Sequence, residues 1–166
     1  MTDSAEFWIS ELNLIPHPEG GFFREVYRSG ETIENLPVRY RGSRCFSTSI
    51  YFLLRGNQFS AFHRIKSDET WHFYAGCKLE IFCLDELKGF TKISLGQNLQ
   101  NHETVQYTIL QNTWFAAQPA IDSSYALVGC TVAPGFEFDD FEMGKLERLT
   151  DKFPDHIEVL KKFCIY

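Results

Sequence analysis

An all-β fold, two sheets rolled around one interior with short helices only at the ends, follows from three observations. Short segments rich in Phe, Tyr, Trp, Val and Ile recur along the chain, separated by turn residues. Helical spacing of apolar residues is confined to the two termini. Aromatic content is 16%, with 16 Phe, which suits a wide interior between strands better than the stripe of a helix bundle. About nine evenly spaced strands with no long helix between them predict a sandwich or barrel, and most simply a double-sheet jelly roll.

Composition bounds the rest. A chain of 166 residues predicts a single domain spanning 1–166, large enough for a sizeable core. The net charge is −6 and no Lys/Arg cluster forms a phosphate-tracking stripe, so no nucleic-acid partner is expected. No apolar run is long enough to cross a membrane. The five cysteines, Cys45, Cys77, Cys83, Cys130 and Cys164, include no Cys-x-x-Cys pair. With no signal-peptide pattern at the N-terminus, they are expected to be reduced, buried thiols of a cytoplasmic protein.

Taken in order, Thr2 or Asp3 caps a first helix with Glu6 in its first turn, and Pro16 and Pro18 end it. His17-Pro-Glu-Gly-Gly21 is a turn into a strand from Phe22 to Arg28, where Phe23, Glu25 and Tyr27 share one face and Phe22, Arg24, Val26 and Arg28 the other. Arg24 or Arg28 is a candidate to hold an anionic ligand group. Residues 29–43 read as a long surface loop able to lid a cavity. Strands follow over Arg44–Leu54, Gln58–Ile65, Glu69–Ala75, Lys78–Leu84, Phe90–Leu95, Thr104–Leu110 and Ser124–Val132, with Phe115-Ala-Ala117 as a short strand after the turn at Gln111–Trp114. Phe136–Phe141 alternates Phe with acid and reads as an edge ribbon. Two helices, Lys145–Phe153 and His156–Phe163, close the chain around Pro154.

The chemistry centres on residues 59–76. His63 shares a mainly apolar strand face with Phe59, Ala61 and Ile65, and Glu69 shares one with Trp71 and Phe73. If the turn Lys66-Ser67-Asp68 keeps the two strands adjacent, His63 and Glu69 meet in one aromatic cavity. A carboxylate there needs a partner, because an unpaired buried charge is costly. Such a pair can hold a metal, move a proton or satisfy buried polarity, and the residues alone leave these open.

Here the residues carry a resemblance. The first motif of the cupin superfamily has a glycine, two histidines, a glutamate and a closing glycine. His63 stands at the first histidine, Glu69 at the glutamate and Gly76 at the closing glycine, while Ile65 replaces the second histidine. Ala116 falls where the second motif carries its histidine. The set Pro18-Glu-Gly-Gly-Phe-Phe-Arg-Glu25, Ile50-Tyr-Phe-Leu-Leu54, Phe62-His-Arg64, Asp68-Glu69, Trp71-His-Phe-Tyr-Ala-Gly76 and Pro134-Gly-Phe136 resembles a small single-domain cupin family, DUF985. More weakly, Gly21-Phe-Phe-Arg-Glu25 is similar to a strand of the dTDP-sugar 3,5-epimerases, with Phe23 and Glu25 matching and Gly20 in place of an arginine.

The resemblance implies a small-molecule-binding cupin. The leading expectation is a metal-free isomerase or epimerase acting on a sugar or nucleotide sugar, with His63 as base tuned by Glu69 and Tyr51 or Tyr74 as acid. Phe23, Arg24, Glu25, Arg28, Lys66, Trp71 and Phe73 are the expected ligand contacts. Alternatives are a binding module without turnover and a metal-dependent oxygenase or isomerase. No cofactor is expected, since Ile65 and Ala116 cannot coordinate a metal. The expected partners are a small polar or carbohydrate-like ligand and a second copy of the chain in a homodimer.

Overall fold

The structure is a computed structural model that describes residues 4–121 and 124–165. The first helix, α1 (Ala5–Glu11), is capped by Ser4, whose hydroxyl accepts from the Phe7 N–H at 3.1 Å. Thr2 and Asp3, the predicted caps, lie outside the described residues. Two sheets face each other, in the cupin jelly roll that the sequence predicts. One has six strands: β1 (Ile15–Pro16), β2 (Phe22–Arg28), β5 (Thr48–Arg55), β12 (Tyr125–Ala133), β7 (Asp68–Gly76) and β10 (Gln106–Ile109), in that spatial order. The other has five: β13 (Glu142–Met143), β6 (Ser60–Arg64), β11 (Trp114–Pro119), β8 (Leu79–Asp85) and β9 (Gly89–Leu95). A two-stranded ribbon, β3 (Thr32–Ile33) with β4 (Arg44–Cys45), stands apart. The long strand expected over Arg44–Leu54 is therefore divided into β4 and β5.

The too-apolar run Ile50–Leu54 has a direct explanation. Phe52 and Leu54 point between the sheets, while Leu53 packs outward with Leu127 under α1, together with Ala5, Leu14 and Trp8. Full burial of such a leucine contributes about 1.5–3 kcal/mol. The second sheet is covered in the same way, by α2 (Leu146–Lys152) and α3 (Ile157–Phe163), whose Leu149, Leu160 and Phe163 pack on Phe62, Trp114 and Ala116.

Three expectations change. The strands of His63 and Glu69 are not adjacent: β6 belongs to the five-stranded sheet and β7 to the six-stranded one. The turn between them crosses the sandwich. The parity read for β2 fails after Glu25, where the register with β5 shifts between Glu25 and Tyr27. Such a bulge inserts one residue and turns the following side chains over, so Arg28 joins Phe23 and Glu25 on the inner side. Phe136–Phe141 is not a ribbon. Residues Phe138–Asp140 form a 3-10 turn, held by Asp140, which accepts from Arg44 at 2.6 and 2.7 Å and pairs with Lys66 at 3.1 Å.

Candidate functional site

At one end of the sandwich the two sheets part around a cavity of about 100 Å³. Pockets for drug-sized ligands measure roughly 300–1,000 Å³, so this one encloses a small molecule or one end of a larger one. The six-stranded sheet contributes Phe23, Glu25 and Arg28 from β2, Ile50 and Phe52 from β5, Glu69 and Trp71 from β7 and Cys130 from β12. The facing wall holds His63 and Ile65, and the loop 136–141 closes the mouth with Phe136, Glu137, Phe138 and Phe141. His17 and Glu19 complete the lining from the turn before β2.

Glu19 is the residue the sequence reading missed. Its turn docks on β6 through the Ala61 N–H, which donates to the Glu19 carbonyl at 2.9 Å. Gly20 permits this approach, with φ of 111° and no room for a Cβ against the Phe59 carbonyl. The turn delivers the Glu19 carboxylate to the His63 ring, with Oε2 at 3.0 Å from Nε2. The other ring nitrogen, Nδ1, lies 2.8 Å from the Ala61 carbonyl oxygen, which can only accept. Both nitrogens therefore donate, and His63 is an imidazolium. Burial opposes that charge, but Glu19, and less strongly Glu69 and the Ala61 carbonyl, raise the pKa above its ordinary value. Burial also opposes the Glu19 carboxylate, yet His63 and His17 hold its pKa below the usual range. Burial lowers the His17 pKa, with Glu19 opposing, and its Nδ1 accepts from the Glu19 N–H at 3.3 Å.

The partner predicted for His63 was Glu69, but the structure gives that place to Glu19. Glu69 faces His63 from the opposite sheet. Its pKa is raised to about 7, chiefly by burial and further by the Glu19 charge, with His63 opposing. Next to it the Cys130 thiol is pushed well above its ordinary value by burial and by the Glu69 and Glu19 charges. The Trp71 indole leans toward Glu69 and draws its pKa down, yet Nε1 finds no partner within hydrogen-bond distance among the described residues.

The other predicted site residues divide. Phe23, Glu25, Arg28 and Trp71 line the cavity. Arg28 bridges Glu25, at 2.9 Å, and Glu137, at 2.6 Å, and also donates to the Phe136 carbonyl at 3.1 Å, which straps the loop over the mouth. Tyr51 and Tyr74 do not reach the cavity. They pack edge to face at 6.1 Å on the outer face of the six-stranded sheet, with Arg24 5.8 Å from the Tyr51 ring centre. Strand alternation dictates this, since both sit one residue from an inward neighbour. Phe73 packs into the inter-sheet core below the cavity. Lys66 lies in a separate groove beyond Ile65 and Phe141. Ala116 points to the outer cluster, and the residue of β11 that touches the His63 ring is Phe115, at 4.1 Å between ring centres.

Among the described residues no three His, Cys, Asp or Glu side chains converge as metal donors.

A jelly roll with this lining is matched by the family model described as "Cupin superfamily (DUF985)", over residues 6–144. The chain belongs to that cupin family. Two solved structures resemble this cupin along nearly its whole length. A hypothetical protein from Leishmania major is 34% identical, with a TM-score of 0.91 and coverage of 99% of this chain and 100% of that one. A protein from Shewanella oneidensis is 36% identical, with a TM-score of 0.88 and coverage of 99% of both. Oxalate decarboxylase from Bacillus subtilis shares the fold at 15% identity and a TM-score of 0.55, the match covering 89% of this cupin and 36% of that chain. No curated protein matches the chain in sequence.

Proposed function

We propose that this cupin binds a small, polar, carbohydrate-like molecule and moves a proton on it, as an isomerase or epimerase. One observation carries the reading: two titratable groups poised differently, Glu69 with a pKa of about 7 and the His63 imidazolium, face one small cavity from opposite sheets. A base works best with a pKa near the working pH, and a fixed positive charge beside it stabilises the anion that forms. Glu69, once ionised, takes a proton from the carbon next to a carbonyl and gives it back to the enolate. The His63 imidazolium, its two N–H groups held by Glu19 and the Ala61 carbonyl, stabilises that enolate by its charge. The roles differ from the sequence expectation, in which His63 was the base and a tyrosine the acid.

The size of the cavity favours short sugars over a whole nucleotide sugar. The test is hydrogen exchange at the carbon next to the carbonyl of dihydroxyacetone and glyceraldehyde in D2O, followed by proton NMR. The wild type promotes exchange, and Glu69→Gln and His63→Ala each reduce it by about a hundredfold or more. Ligands that shift the melting temperature without any exchange above background point instead to binding without turnover.

A further inference from the structure

We propose that the groove beyond Ile65 and Phe141 is a second binding site, one that takes a phosphoryl group. Its volume is about 590 Å³, and it lies between the loop before β4, the turn after β6 and the segment 139–142. Ile65 and Phe141 line both it and the cavity. The groove is otherwise separate, and the proposal does not depend on the reaction assigned to the cavity.

Pairing accounts for most of the charge in this groove. Its lining holds Arg39, Arg41, Arg64 and Lys66 against Asp139, Asp140 and Glu142. Two cations, Arg44 and Lys66, already hold Asp140, and two more, Arg64 and Arg148, hold Glu142. What remains is Arg39 and Arg41 against the Asp139 carboxylate, and none of the three has an ion-pair partner among the described residues. The groove therefore carries excess positive charge on a chain whose net charge is −6.

Arg39 is also held ready. Its Nε donates to the Lys66 carbonyl at 2.9 Å, and its guanidinium lies 4.8 Å from the centre of the Tyr40 ring. Tyr40 is 7% exposed and is fixed in turn by its hydroxyl, which donates to the same carbonyl at 2.9 Å. Nη1 and Nη2 of Arg39 have no hydrogen-bond partner among the described residues. A guanidinium fixed before the ligand arrives pairs two N–H groups with two oxygens of an anion and loses little further freedom. A phosphoryl group brings three oxygens and a charge of about −2, enough to engage both arginines against the opposition of Asp139. A carboxylate brings a single charge and two oxygens, which one arginine uses up.

The experiment titrates inorganic phosphate, glycerol 3-phosphate and acetate into the full chain at low ionic strength. Calorimetry gives the affinities, and NMR follows the arginine Nε–H signals, with Arg39 assigned through Arg39→Lys. Both phosphates are expected to bind one to one and to move the Arg39 signal saturably, with acetate at least about tenfold weaker. Equal affinity for the two phosphates makes the free ion a sufficient ligand, and a tighter ester marks phosphorylated small molecules as the occupants. Arg39→Gln and Arg41→Gln are each expected to weaken phosphate binding about tenfold, and Asp139→Asn to strengthen it. Arg24→Gln removes the same charge from the outer face of the six-stranded sheet and is expected to leave binding within about twofold. The wild-type titrations decide the matter even where a variant does not fold. Acetate binding as tightly as phosphate overturns the proposal, as does phosphate that moves the His63 ring signals but not Arg39. No saturable binding at millimolar phosphate overturns it too. So does an equal loss in Arg24→Gln and Arg39→Gln, because net charge alone then governs.

Discussion

Replacing Glu19 by Gln keeps the shape of the side chain and removes its charge. The His63–Glu19 pair spans 3.0 Å with side chains 3% and 7% exposed, so solvent screens it little. Breaking a buried pair from one side costs about 3–5 kcal/mol, and the lower end applies here because the amide oxygen still accepts from Nε2. For a chain of this length each kcal/mol moves the melting temperature by about 2–4 °C, so the fall expected is at least about 6 °C.

The pH dependence is more specific than the size. His63 has a folded pKa raised above 6.5, so its contribution is complete below 6.5 and is lost as pH rises through the raised value. Glu19 has a folded pKa lowered below 4.5, so its contribution is complete above 4.5 and is lost as pH falls through the lowered value. The pair therefore stabilises most between 4.5 and 6.5. In Glu19→Gln the main influence raising the His63 pKa is gone, burial governs, and the pKa falls. Urea unfolding at pH 5.5 and pH 8.5, with NMR titration of the His63 ring, measures both effects. A deficit below about 1 kcal/mol at pH 5.5, or an unchanged His63 titration, refutes the reasoning.

Glu69→Gln should behave in the opposite sense. A carboxyl raised from 4.5 to about 7 penalises the folded state by up to about 3 kcal/mol once both states are ionised, so the variant gains stability at pH 8 and none near pH 4. Thermal unfolding across that range checks it, and equal stability of the two proteins at pH 8 counts against a raised pKa. Gly20→Ala should lose about 2 kcal/mol or more, because φ is 111° and a Cβ meets the Phe59 carbonyl; His63 should then titrate as in Glu19→Gln. A melting temperature within a degree of the wild type would show that the turn yields freely. The outer half of β2, with Val26 and Tyr27 exposed, is the proposed pairing edge for a second copy. Light scattering should therefore show twice 19.3 kDa at micromolar concentration, and a species of 19.3 kDa alone would sink the idea.

The jelly roll was legible because strand length, turn residues and two-sided apolar patterns are local properties. Glu69, Trp71 and Phe73 were correctly given one face of β7, since alternation holds wherever no bulge intervenes. The same rule misplaced Arg28, because the bulge after Glu25 is set by pairing with β5 and leaves no mark in β2 itself. Alternation also keeps Tyr51 and Tyr74 out of the cavity, because Phe52 and Phe73 beside them point inward. The signal for Glu19 lay in Gly20-Gly21: two glycines after Pro18 mark a turn whose backbone must approach another chain segment closely.

Which segment that is depends on contacts distant in sequence. By itself the sequence determined the strands, the family and the polar residues available for chemistry, because each rests on local periodicity or a short motif. Only the tertiary structure decided that His63 pairs with Glu19, that Glu69 stands across the cavity from it, and that Phe136–Phe141 closes the mouth. Those outcomes depend on which sheet each strand joins and on ion pairs such as Arg44–Asp140, between residues 96 positions apart.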